Sequence, residues 1–215
     1  MSELWIRAGL FAEGPTDYRF FLPLLDRLLA AVLAHHFPGR HTLETSLGID
    51  ANAAAGSRRA SRIANAIAQH WHACTLFVVH SDGAGDPKRE RDNNITPGLL
   101  AAESWARESG QDEPVVVACV PVRETEAWML ADLTVFKTLL RSAAPDALPK
   151  DPERILDPKQ ELERLLGRGR RLDPYDFFGK NVALDALRRL PAFLRFEAEL
   201  LAAVQALDIT GAVKA

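Results

Sequence analysis

Six acidic residues stand in three short settings, and their placement is the first clue to chemistry. Glu13 and Asp17 lie in Leu10-Phe11-Ala12-Glu13-Gly14-Pro15-Thr16-Asp17, where an apolar run ends in a carboxylate and the chain turns at Gly-Pro into a helical pattern. Asp82 and Asp86 flank the glycine-rich turn Asp82-Gly83-Ala84-Gly85-Asp86, which follows an apolar run over 75–80. Glu124 and Glu126 close a third run, over 115–122, in Arg123-Glu124-Thr125-Glu126. A carboxylate at the end of a parallel strand faces the N-termini of neighbouring helices. Its plain role there is to satisfy backbone N–H groups and the positive end of the helix dipole. For three strand ends to do only this is a poorer account, because adjacent ends crowd like charges together. Such crowding raises pKa values and costs stability unless a cation neutralises it. The cation expected is Mg2+, or Mn2+ in its place, since it takes hard oxygen ligands and keeps waters for a substrate to displace.

Each setting leaves a choice open. Asp17 either reaches back toward the cation or is simply a favourable acid in a first helical turn. Asp86 either points inward with Asp82 or belongs to the solvated charged run of Lys88, Arg89, Glu90, Arg91 and Asp92. Glu124 and Glu126 share a face if the strand continues and diverge if a helix begins at Thr125, in which case only one serves.

The elements that must position these groups follow from periodicity. Residues 4–12 read as a strand, and 16–36 as a helix with Phe20, Phe21, Leu24, Leu25, Leu28, Leu29, Val32 and Leu33 at helical spacing. Pro23 inside that run predicts a kink or a late start. A short strand over 41–49 and a helix from Ser57 to about Trp71 come next. The runs 75–80 and 115–122 have the length and continuous apolarity of buried parallel strands. Residues 82–94 read as a charged surface loop. Thr96-Pro97, a cap followed by proline at the first helical position, opens a helix to about Glu108, and 125–131 turns helical. This alternation predicts an α/β fold, a mainly parallel sheet with helices on both faces. Beyond Asp132 four prolines punctuate a linker and only helical patterns follow, over 159–166, 182–190 and 193–207. The expected division is a core over 1–132 and an all-α C-terminal extension over 133–215.

Composition narrows the classes. With 26 Lys and Arg against 29 Asp and Glu, the net charge of −3 supplies no bulk basic field for nucleic acid. A local basic stripe beside an acidic site remains compatible with one. Cys74 and Cys119 read as buried thiols of a reducing compartment. No run approaches the roughly 18 apolar residues of a spanning helix, and no signal pattern opens the chain. The expected location is the cytoplasm, without membrane contact. His70, His72 and Cys74 lack a second ligand pair for zinc. No Gly-x-x-x-x-Gly-Lys-Ser/Thr loop and no Gly-x-Ser-x-Gly elbow occurs.

With these residues in view, Glu13-Gly14-Pro15-Thr16-Asp17 followed by Phe20-Phe21 resembles the first motif of the TOPRIM domain. That domain occurs in topoisomerases, primases and overcoming-lysogenization-defect nucleases. Asp82-Gly83-Ala84-Gly85-Asp86 stands where that fold carries its Asp-x-Asp pair. The segment from Val120 to Asp132, with Arg123-Glu124-Thr125-Glu126-Ala127-Trp128 at its centre, is similar to a narrower group of bacterial TOPRIM-like proteins of undefined function. So are Asp157-Pro158-Lys159-Gln160-Glu161-Leu162 and Pro191-Ala192-Phe193-Leu194-Arg195-Phe196. The resemblance implies a Rossmann-like, TOPRIM-like core and a Mg2+-dependent nuclease acting on nucleic acid, with DNA the expected substrate. It also implies an ABC-type ATPase encoded nearby and a place in phage defence.

On this view Glu13, Asp82 and Asp86 hold one ion, Asp17 and Glu126 assist a second, and Glu124 stands as a further ligand candidate. Arg123, Arg168, Arg170 and Arg171 meet phosphates, and Lys180 reaches the reacting phosphate. For the tail arginines the plain alternative is the solvated face of amphipathic helices. In one place the sequence departs from the pattern: Asp-x-Asp spacing falls on Ala84, which cannot bind metal. Either Asp86 substitutes across a longer turn or the site is one ligand short. The second reading is an interaction module that keeps the fold, has lost turnover and regulates a partner ATPase.

Overall fold

The computed structural model describes residues 4–49, 58–167 and 173–210. Its first strand is broken at Arg7 into β1 (Leu4–Ile6) and β2 (Ala8–Phe11), and α1 (Pro15–His36) follows. The break has a local cause. Thr75 donates its N–H to the Arg7 carbonyl at 2.9 Å, and its hydroxyl accepts the Arg7 N–H at 3.0 Å. The second strand is likewise split into β3 (His41–Leu43) and β4 (Leu47–Gly48), and α2 (Arg59–His70) and β5 (Leu76–His80) complete the next unit. All pairings are parallel: β1 with β3, β2 with β4 and β5, and β5 with β6 (Val116–Cys119). The order is β4-β2-β5-β6, with β1-β3 as a separate two-stranded ladder. The result is an α/β arrangement of parallel strands flanked by helices, compatible with a Rossmann-like fold.

Alternation along the strands makes two cores. Leu76 and Val78 of β5 join α1, while Phe77 and Val79 join α2 and α4 (Thr96–Glu108) on the other face. Small residues at Gly98, Ala102 and Ala106, spaced four apart, let α4 approach α2 closely. A Cβ on Gly98 would sit 2.8 Å from that of Ile63.

The charged stretch after Asp82 differs from the loop its composition suggests. It contains α3 (Pro87–Glu90), then a π-helical turn over Arg91–Ile95 that runs straight into α4. Asp86 is the reason: its Oδ1 accepts the Arg89 N–H at 3.0 Å, and Pro87 occupies the first helical position. Pro23 does not delay α1, which runs unbroken through it from Pro15.

After β6 come α5 (Glu126–Met129), α6 (Leu133–Leu140), α7 (Pro158–Leu166), α8 (Pro174–Asn181), α9 (Leu184–Leu187) and α10 (Pro191–Thr210). No strand follows β6 among the described residues. These helices do not stand apart from the sheet. Trp128 of α5, fully buried, packs edge-on against Phe21 of α1 at 5.7 Å and Phe193 of α10 at 5.2 Å, so both sides of Asp132 share one core. Helix α8, which the apolar pattern did not announce, lies along α1. Arg27 donates to the carbonyls of Gly179 (2.9 Å) and Val182 (2.7 Å). Gly179 has no room for a side chain, since a Cβ there would collide with the Phe20 carbonyl. Among the described residues no helix is long and apolar enough to cross a membrane.

Candidate active site at the strand ends

The chain leaves β2 toward β4 through α1 on one face and leaves β5 toward β6 through α4 on the other. The crevice outside the carboxyl ends of β2 and β5 is therefore the switch point of the sheet, where open α/β folds take ligands. Glu13 follows β2 by two residues and Ser81-Asp82 follow β5 directly, so the two predicted carboxylates enter from adjacent strands.

The inner part of the crevice is sealed. Strand alternation turns His80 toward α1, under the Phe21 ring (4.4 Å), with no solvent exposure. Its Nδ1 lies 3.1 Å from the Cys119 carbonyl, an acceptor, so Nδ1 carries a proton. Its Nε2 is 3.2 Å from the Thr125 hydroxyl, 3.7 Å from Asp17 Oδ1 and 3.6 Å from Asp82 Oδ1. Thr125 Oγ1 donates to Asp17 Oδ1 at 3.0 Å, and the Thr125 N–H donates to Asp82 Oδ1 at 3.0 Å. Asp17 Oδ2 accepts the Gly14 N–H at 3.0 Å. Burial, the largest single influence, works against charge on both His80 and Asp17. Their mutual attraction outweighs it, together with Thr125 and Gly14 acting on Asp17, and with Asp82 and the Cys119 carbonyl acting on His80. The pKa of His80 is raised and that of Asp17 lowered. His80 is thus biased toward its charged form beside Asp17, with Asp82 within 3.6 Å on the same side.

The outer part is open and rich in negative charge. Burial pushes Asp82 up to about 7 against the pull of His80, and the charges of Asp17, Glu13 and Glu126 push in the same direction. Among the described residues its hydrogen bonds fall on Oδ1 alone. Ser81 Oγ is 2.7 Å from Glu13 Oε1 and also contacts Glu90 Oε1, which takes a further bond from Asn94 at 2.7 Å. One hydroxyl proton faces two carboxylates. Arg59 provides the nearest positive charge, 3.2 Å from Glu13 Oε1, while also donating to the His80 carbonyl at 2.7 Å. The turn that carries Asp82 is locked to the segment after β6. Ala84 and Gly85 donate to the carbonyls of Arg123 (3.2 Å) and Val122 (2.8 Å). Gly83 lies so close that a Cβ would approach Val122 O to 2.7 Å.

The remaining predicted residues divide. A helix does begin at Glu126, and the two glutamates diverge. Glu126, 7% exposed, accepts the Tyr175 phenol at 2.6 Å, whereas Glu124 accepts the Lys159 N–H at 3.3 Å, away from the crevice. Asp86 is exposed and caps α3. Lys180 is exposed and paired with Asp176 at 2.8 Å, one turn back on α8. The Arg123 guanidinium lies 3.5 Å from where a Cβ on Gly85 would stand. Arg168, Arg170 and Arg171 lie outside the described residues.

Arg59, at the start of α2, Glu90 and Tyr175 escaped the sequence. Glu90 sits in a charged run that reads as solvated, although Asp86-Pro87, a cap-and-proline pair, signals the helix that delivers it. Tyr175 comes from 49 residues beyond Glu126; no local pattern marks it, but Asp173-Pro174 marks the start of its helix.

Comparison with protein-family models, with curated proteins and with solved structures returned no match.

Proposed function

We propose that this chain is a Mg2+-dependent phosphodiesterase acting on nucleic acid, DNA foremost, on a TOPRIM-like fold. The observation that carries this reading is the pair Glu13 and Asp82 at the switch point, with Asp82 held near 7 by burial and like charge. That surplus is what a bound cation would relieve.

The donors fit a hard ion. They are carboxylate oxygens, and among the described residues no three His, Cys, Asp or Glu side chains form a ready-made cage. Mg2+ asks for less than a cage: one or two carboxylates, with waters and substrate phosphate completing its shell. Glu13 and Asp82 would hold it, with Glu90 and Glu126 beside them. When bound, it supplies Lewis-acid polarisation of a phosphoryl oxygen. The chain's own residues prepare that place. Arg59 and Ser81 fix Glu13, Thr125 fixes Asp82, and His80 with Asp17 holds Thr125. Tyr175 orients Glu126, and Arg123 lies beside the Asp82 turn, ready to balance charge on phosphate. An ABC-type ATPase partner and a role in phage defence belong to the same proposal, on the strength of the motif resemblance.

The test is cleavage of labelled DNA and RNA with Mg2+ or Mn2+, alone and with the neighbouring ATPase. Glu13→Ala and Asp82→Ala are expected to lose a hundredfold or more, about 3 kcal/mol of barrier, while staying folded. Undiminished cleavage by both variants overturns the assignment.

One observation favours a second reading. Ala84 stands where the motif has a carboxylate, and Asp86 is occupied as a cap rather than replacing it. The alternative is a module that regulates a partner ATPase without turnover. Calorimetric titration with Mn2+ separates the two, because such a module shows no binding that depends on Glu13 or Asp82.

A further inference from the structure

Two cavities adjoin at the rim of the sheet beyond β6, outside the strand-end cluster. The larger, about 750 Å³, has apolar walls that include Val122, Leu130, Leu148 and Leu190. Its lining also includes Lys150, Arg154 and Arg189 together with Asp151 and the buried Glu153. The smaller, about 390 Å³, begins at Gly85 and Asp86, in the turn that bears Asp82, and is bordered by Lys88, Arg91, Arg195 and Glu199. They meet at the first turn of α10. Leu190 and Pro191 wall the larger, Ala192 and Arg195 wall the smaller, and Arg195 acts electrostatically on Glu153 across the turn.

The acids along this trough are all engaged. Glu153 accepts the Ala192 N–H at 3.2 Å, Asp151 pairs with Arg154 at 3.1 Å, Glu199 with Arg91 at 2.6 Å, and Asp86 caps α3. Lys150 and Arg195, both exposed, make no ion pair among the described residues, and neither does Arg123 beside Gly85. Positive charge without an ion pair therefore borders a path that reaches Gly85 and Asp86, in the turn that follows Asp82, in a chain whose net charge is −3.

We propose that this trough is a track for a single-stranded nucleic acid, which it leads into the crevice between β2 and β5. The proposal rests on the phosphodiesterase reading and adds the strand form of its substrate. A polyanion is what unpaired Lys150, Arg195 and Arg123 attract. The apolar walls decide between single strand and duplex. A duplex keeps its bases stacked inside and shows a surface only its phosphates and groove edges, leaving a cavity of this size unfilled. An unpaired strand can turn bases into it, and a volume within about 300–1,000 Å³ is the usual range for ligands of nucleotide size. A basic groove along the backbone beside base-holding pockets is how single strands are held without sequence preference.

The test is fluorescence anisotropy of a labelled oligothymidylate and of a duplex of equal length, on the full chain in EDTA at low salt. The single strand is expected to bind at least tenfold tighter than the duplex. Lys150→Gln/Arg195→Gln removes two charges that make no ion pair among the described residues, without setting a new carboxylate beside buried Glu153. It is expected to unfold close to the wild-type midpoint and bind the single strand at least tenfold more weakly. Its salt dependence should be shallower by roughly 0.7 for each phosphate that the variant no longer neutralises. No saturable binding by the wild-type chain, equal or tighter binding of the duplex, or unchanged affinity in the double variant overturns the track. The two proposals fail separately. A strand bound in EDTA but never cut with Mg2+ removes the phosphodiesterase and leaves the track. Cutting that survives in the double variant at unchanged KM removes the track alone.

Discussion

The two halves of the strand-end cluster hold similar groups in opposite condition. Inside, Asp17 is 8% exposed and His80 wholly buried, and each supplies the charge the other lacks. Outside, Arg59 meets Glu13, one Ser81 hydroxyl faces both Glu13 and Glu90, and Asp82, pressed by burial and by neighbouring carboxylates, rises to about 7. A buried carboxylate with its own counter-ion is finished and can only position its neighbours. A half-exposed one under repulsion still lacks a charge that something must bring. The inner half is thus the scaffold of the site and the outer half its working surface.

The sharpest way to break that division is to remove the inner cation. His80→Ala leaves the Asp17 carboxylate buried without its partner, and a loss of about 3–5 kcal/mol is expected in urea unfolding at pH 7. A loss under about 1 kcal/mol, the scale of a solvated pair, would mean that Asp17 reaches water and that the halves do not differ.

The next largest effect concerns Asp82 and changes with pH. Its folded pKa, about 7, lies above the ordinary 3.8, so between these values the folded chain holds a proton that the unfolded chain has lost. The stability tied to that proton is present in acid and disappears as pH rises through 7. Asp82→Asn keeps the neutral form. It is expected to match the wild type near pH 4 and exceed it at pH 8 by on the order of 2 kcal/mol, after discounting the full shift for partial exposure. Metal affinity of the wild type should rise across the same interval as Asp82 releases its proton. A variant less stable than wild type at pH 8 would place Asp82 with the inner, compensated half.

How far the sequence foretold this depends on the range of each interaction. An apolar run that stops at a carboxylate is a local signal, so β2 with Glu13 and β5 with Asp82 were legible. So was the parallel α/β order, because alternation of strand and helix patterns is written along the chain. Glu90 was hidden because charge in a polar run looks the same whether it meets solvent or a serine; only the cap at Asp86 told them apart. Tyr175 and the packing of α8 on α1 depend on partners about 50 and 150 residues away, such as Glu126 and Arg27, and tertiary packing alone decides them. The single core across Asp132 was invisible for the same reason: prolines and a change of pattern mark a linker, but not what lies against what.

Tyr175 tests whether those distant helices belong to the working half. Tyr175→Phe removes the donor to a carboxylate that is 7% exposed, at an expected cost of about 1.5–2 kcal/mol in stability. Mn2+ affinity by calorimetry should fall with it, because Glu126 loses its fixed orientation. A stability loss with unchanged Mn2+ affinity would return Glu126 to the scaffold.

The smallest effect settles the role of Asp86. In the structure its carboxylate serves as a cap: Oδ1 takes the Arg89 N–H, and α3 begins at the next residue. Asparagine caps as well as aspartate does, and alanine does not. Asp86→Ala is therefore expected to lose about 1 kcal/mol, and because α3 carries Glu90 to Ser81, a small part of the Mn2+ affinity should go with it. Asp86→Asn should match the wild type in both stability and Mn2+ binding. A metal ligand would give another pattern. Losing the charge would matter as much as losing the side chain, so both variants would bind Mn2+ equally poorly while only the alanine variant lost stability. The pair of substitutions separates a cap from a ligand because the two roles need different things from one residue: the cap an oxygen, the ligand a negative one.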